Sequence, residues 1–157
     1  MKRLLPLVIF LLLFGVEPAA PCFGPKLYLG VPDDNRGRVF AELTILYVKE
    51  KTGVETVRVP VAGDAGIAGV RGATLDLALS ATAADDLPVL LAAPGGPLLL
   101  SGPRPLTDLQ FSTVPAALKR LGALLTEDFF AGLTAEVEGG AEPAAVVGRA
   151  LREKRWI

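Results

Sequence analysis

The sequence predicts an α/β protein built on a mostly parallel sheet with helices on both faces. Three observations carry this. Short apolar runs at 26–31, 54–61 and 75–79 each end in glycine, proline or small polar residues, as buried strands do. A helical spacing of apolar residues separates the first two runs, which gives a β-α-β order and hence two parallel strands joined by a right-handed crossover. The last third is a series of amphipathic helical stretches, each needing a surface to cover its apolar stripe.

The N-terminus reads as an address. Lys2 and Arg3 precede an almost wholly apolar run from Leu4 to Phe14, and small residues with prolines follow as far as Cys22. This is the pattern of a secretory signal, and the run is shorter than the roughly 20 residues that a spanning helix needs. With cleavage expected between Ala20 and Cys22, residues 1–22 are assigned to the signal and 23–157 to a single α/β lobe, exported to the periplasm or cell envelope. Pro21 directly before Cys22 fits a lipid-modified cysteine poorly. Cys22 is the only cysteine, so no intramolecular disulfide can form and stability rests on packing.

Lys26 to Val31 is the first strand, stopped by Pro32. Asp33, Asp34 and Asn35 are N-cap candidates for a helix over Arg36 to Lys51, with Val39, Phe40, Leu43, Leu46 and Tyr47 as its buried stripe and Glu50 on its wet edge. Gly53 ends that helix. In the second strand, Val54 to Val61, Pro60 cannot donate to a ladder and marks a strand end or a sheet edge. Gly63 to Ala73 suits a short helix packed closely on the sheet, and Leu75 to Leu79 the third strand, with Asp76 between apolar neighbours. Leu87 to Ala93 and Leu98 to Leu100 flank the turn signal Pro94-Gly95-Gly96-Pro97, which fits a hairpin or a strand leading into an ordered loop. Leu106 to Phe111 has no clear period. Helices are expected over Thr113 to Leu121 with Pro115 in the first turn, over Glu127 to Glu138 capped by Thr126, and over Pro143 to Lys154.

Composition excludes several kinds of function. With 157 residues, 51% of them hydrophobic, the chain makes one ordinary domain. A formal net charge of -1 with mixed signs gives no field that would gather nucleic acid. There is no histidine, which removes the commonest general base and the commonest metal ligand. No Gly-x-Ser-x-Gly motif is present. The stretch Gly63 to Gly69 is neither Gly-x-Gly-x-x-Gly nor a Walker motif. The paired acids Asp33-Asp34, Asp85-Asp86 and Glu127-Asp128 sit at helix starts or in a loop, where capping and solvation explain them. No catalytic residue, metal site or cofactor is nominated, and the chain is expected not to be an enzyme.

One place invites a ligand. Open α/β sheets bind small molecules beyond the carboxyl ends of their parallel strands, where helix N-termini point free N–H groups outward. The residues at those ends are Asp33, Asn35 and Arg36 after the first strand, Asp64 after the second, and Ser80 and Thr82 after the third. Arg36 is the counter-charge expected for an anion or carboxylate.

The segment Lys26 to Val61 followed by Gly72-Ala73-Thr74-Leu75-Asp76-Leu77, and the tail from Leu118 through Thr126-Glu127-Asp128 and Thr134-Ala135-Glu136-Val137-Glu138-Gly139 to Leu151-Arg152-Glu153-Lys154, carry a resemblance. They resemble the opening and closing parts of the glycine betaine/choline-type substrate-binding proteins of ABC importers. The resemblance implies one lobe of a type II periplasmic binding protein, with the second lobe replaced by something as short as Ala81 to Arg104. It also implies a small polar solute and an ABC permease as partners. The chain departs from it in aromatic content: such ligands sit in an aromatic cage, whereas Tyr28 and Tyr47 fall at apolar-face positions expected in the core and Trp156 lies near the terminus. The other expectation is a periplasmic interaction or scaffold protein that keeps the lobe without a ligand and docks on another envelope protein. Self-association stays open in both.

Overall fold

The computed structural model describes residues 24–157. The signal assigned to 1–22, its cleavage site and Cys22 lie outside the described residues. The elements run β1 (Lys26–Pro32), α1 (Asn35–Thr52), β2 (Glu55–Val61), α2 (Ala65–Arg71), β3 (Leu77–Ser80), β4 (Val89–Ala92), β5 (Leu98–Ser101), α3 (Arg104–Thr107), a 3-10 turn (Leu109–Phe111), α4 (Val114–Leu124), α5 (Glu127–Glu138) and α6 (Pro143–Glu153).

The chain is α/β, but its sheet is mixed rather than mostly parallel. The five strands are ordered β2-β1-β3-β5-β4. β1 pairs in parallel with β2 and with β3, while β5 runs antiparallel to both β3 and β4. The physical reason lies in the connections. α1 and α2 each return the chain to the same end of the sheet, whereas Pro94-Gly95-Gly96-Pro97 reverses it within a few residues, so the hairpin is the reading that holds. Gly96 N donates to Ala93 O at 2.9 Å, and Ala93 N donates to Pro97 O at 3.0 Å. The residues expected to stand in for a second lobe thus join the first sheet as β4 and β5.

Leu27, Leu29 and Val31 alternate along β1 toward the main core, with Leu77, Leu79 and Leu99 beside them. α1 lies against β1 and β2, α4 lies against β4, and α5 and α6 pack on α1. The opposite face is covered by the seven-residue α2. There Val70, Leu75 and Ala78 form a small second cluster with Val59, Val61 and Leu87 around it. Helices do lie on both faces, but very unequally.

This alternation overturns one expectation. Tyr28, expected in the core, is 42% exposed, because Leu27 and Leu29 take the core-facing positions and the intervening side chain must point to the thinly covered face. Tyr47 is buried as expected, and Trp156 packs against Phe129 with ring centroids 4.8 Å apart and the planes tilted by 55°.

Helix ends follow their sequence signals. The Asp34 carboxylate accepts from Gly37 N at 2.7 Å, and Gly53 at φ 74° donates to Lys49 O at 2.8 Å, a left-handed stop that glycine adopts without strain. Thr126 caps α5 by accepting from Phe129 N at 3.3 Å. Buried Glu42 on α1 pairs with Arg58 on β2, tying helix to edge strand. Pro60 sits on β2, which is an edge strand, where its missing N–H leaves no inner ladder broken. Leu106 to Phe111 forms α3 and the 3-10 turn, too short to show a period.

Candidate functional site

The carboxyl ends of β1, β2 and β3 open into a cleft of about 590 Å³. Its walls come from four separated segments: Pro32, Asp34 and Arg36; Gly63 and Asp64; Leu79 to Thr82; and Gly95 to Pro97. The parallel pairing of β1 with both neighbours brings the first three together, since it sets the same end of each strand side by side. The hairpin between β4 and β5 supplies the fourth wall because β5 runs the other way beside β3.

Of the six residues nominated from sequence, Arg36, Asp64, Ser80 and Thr82 line this cleft. Asp33 and Asn35 do not. Asp33 turns to the other side of the chain and pairs with Arg38, beside a smaller cleft of about 210 Å³ that also has Arg58 and Glu142 on its walls. Asn35 opens α1 half-buried, outside the cleft lining. Asp34, grouped with them in sequence only as a capping candidate, is the acid that reaches the cleft.

Arg36 does not stand free for an anion. Its guanidinium donates to the carbonyl oxygen of Gly95 and lies 5.8 Å from the centroid of the Phe130 ring. A methyl group placed on Gly95 would come within 3.5 Å of Glu127 Oε1 and 3.6 Å of Arg36 Nη2, so an acid also adjoins this contact. Arg36 therefore pins the hairpin turn to α1 and α5. The expected counter-charge is already engaged.

The remaining polar groups differ in freedom. Ser80 Oγ donates to Thr82 O at 2.7 Å and accepts from Thr82 N at 3.1 Å, so this hydroxyl mainly shapes its own loop. One Asp34 oxygen, Oδ1, is committed to the helix cap. Asp64 precedes α2 without a side-chain capping bond and makes no ion pair among the described residues. Its carboxylate is the least committed charge on the wall.

Sequence reasoning missed Gly95, Gly96 and Pro97, although Pro94-Gly95-Gly96-Pro97 was legible as a turn. The missing information was where the turn lands. A Cβ on Gly96 would lie 2.7 Å from both the Ala93 Cβ and a Phe130 ring carbon, so glycine there lets the turn settle onto α5.

Among the described residues, no group of three or more Cys, Asp or Glu side chains is placed to hold a metal ion, and no helix is long and apolar enough to cross a membrane. No protein-family model, curated protein or solved structure matches the chain.

Proposed function

We propose that this chain is an exported solute-binding protein that holds a small polar solute at the carboxyl ends of its parallel strands, as the binding component of an ABC importer. The observation that carries the reading is the cleft itself. It is about 590 Å³, within the range of small-molecule sites, and four sequence-nominated polar residues from three strand ends line it. The resemblance to one lobe of the glycine betaine/choline-type binding proteins supports the importer role and the periplasmic location. With a single lobe the solute stays open to water on one side, so modest affinity follows, with Kd on the order of 1 mM.

A non-enzymatic role fits the cleft's chemistry: its side chains offer two carboxylates, a committed guanidinium and two hydroxyls, without a nucleophile held against a base. Calorimetric titration with glycine betaine, choline, ethanolamine and amino acids tests the reading. Saturable heat is expected for at least one of them, and Ala81→Trp, which fills the exposed wall of the cleft, should abolish it. Failure of every solute, or binding untouched by Ala81→Trp, would refute this function.

The thinly covered sheet face favours the second reading, an envelope scaffold. Tyr28 is exposed there with half-buried Val57 paired to it on β2, and Val89 is exposed on the far edge strand, β4. Under that reading the chain is retained by another envelope protein and gives no solute heat.

A further inference from the structure

Resting on the proposed solute-binding reading, we infer that the cleft selects a small cation bearing N–H donors, a protonated primary amine, over a quaternary ammonium ion. The charge on its walls points this way. Asp34 and Asp64 contribute two carboxylates against the single guanidinium of Arg36, which donates to Gly95 O and lies over the Phe130 ring. The formal charge on the cleft's walls is therefore net negative, which disfavours an anion. A cation meets the uncommitted Asp64 carboxylate and the second oxygen of Asp34.

The choice between kinds of cation follows from hydrogen bonding. A quaternary ammonium ion donates no hydrogen bond and gains its binding energy from aromatic faces in a dry cage. None of the cleft's lining residues is aromatic. The nearest ring, Phe130, lies behind Gly96 and already has Arg36 over its face. Tyr47 is buried in the core and Trp156 packs against Phe129. A primary ammonium has three N–H donors for carboxylate and hydroxyl acceptors, and such charge-assisted bonds are stronger than neutral ones.

Ethanolamine and choline make a matched pair, differing only in three N-methyl groups. In calorimetric titrations of the full chain, ethanolamine is expected to bind about tenfold or more tightly than choline. Asp64→Asn should weaken ethanolamine by about tenfold and close most of the gap, with an unchanged circular dichroism spectrum because this side chain caps nothing. Choline binding as tightly as ethanolamine, or a gap that survives Asp64→Asn, overturns the inference and leaves the solute-binding reading standing. Binding of another solute but of neither amine has the same effect. If nothing binds at the cleft, both fall together.

Discussion

Asp76 holds Tyr28 at both of its backbone polar groups across 48 residues of sequence: the Asp76 carboxylate accepts from Tyr28 N at 2.8 Å, and Asp76 N donates to Tyr28 O at 2.9 Å. Arg104 closes the cluster, its Nη1 lying 3.0 Å from each carboxylate oxygen and 3.2 Å from Lys26 O, with its guanidinium 4.9 Å from the centroid of the Phe111 ring. The parallel register of β1 and β3 is thus fixed one residue before β3 begins. The carboxylate is only 8% exposed, so its removal leaves the Tyr28 N–H without an acceptor in poorly hydrated space, while Arg104, 41% exposed, keeps water and Lys26 O.

Asp76→Ala should therefore lower stability by about 1–3 kcal/mol, and Asp76→Asn, which keeps an acceptor for Tyr28 N, by about half as much. Urea denaturation of the three proteins would check the order. Equal losses for both substitutions would mean that charge matters more than the hydrogen bond to β1.

Gly30 marks the closest approach of β1 to the thin layer. A Cβ there would lie 2.8 Å from Leu75 Cδ1, 3.4 Å from Val61 Cγ1 and 3.5 Å from Gly66 Cα. Gly30→Val should cost about 2 kcal/mol by overpacking, while Gly30→Ala costs less because a leucine methyl can swing aside. The denaturant midpoint should move with little change in slope.

Asp34 has two separable duties, capping α1 and lining the cleft. Asp34→Ser should keep the cap and cost only a few tenths of a kcal/mol, whereas Asp34→Ala should cost about 1 kcal/mol. If Asp34 also contacts a cationic solute, both variants weaken its binding alike. Thermal melts beside titrations would separate the two roles.

The guanidinium of Arg71, bonded to both oxygens of Asp86 at 2.8 and 2.7 Å, holds that carboxyl below the usual carboxylate range. Because the folded pKa is depressed, the pair's stabilisation is fully present above the ordinary carboxylate pKa and is lost as pH falls through the lower folded value. Both side chains are half exposed, so the contribution is small. Carboxyl NMR titration should place Asp86 below its ordinary value and return it upward in Arg71→Ala.

What could be read beforehand was largely local. Helix ends at Asp34, Gly53 and Thr126 follow from side chains that bond to their own backbone neighbourhood, and those signals need no tertiary knowledge. Tyr28 could not be placed because every residue of Leu27 to Val31 except Gly30 is a large apolar or aromatic group, so alternation gave no contrast between faces. The direction of β5 depended on a turn whose landing site is on α5, and the commitment of Arg36 depended on the same turn. Four cleft residues were legible because strand ends in a parallel pair are necessarily neighbours. Asp34 keeps its expected cap and also reaches the cleft, whereas Asp33 beside it pairs with Arg38, a division between adjacent acids that the sequence does not mark.

The unequal clothing of the sheet has a dynamic consequence. One side carries α1 with α4, α5 and α6 around a continuous core, while the other has α2 and a cluster centred on three buried residues. Opening α2 exposes little apolar surface, so its amides and those of edge strand β2 should trade hydrogen for deuterium well before those of α1. Since Gly63 and Asp64 lie between these two elements, one wall of the cleft would breathe while the main core stayed still.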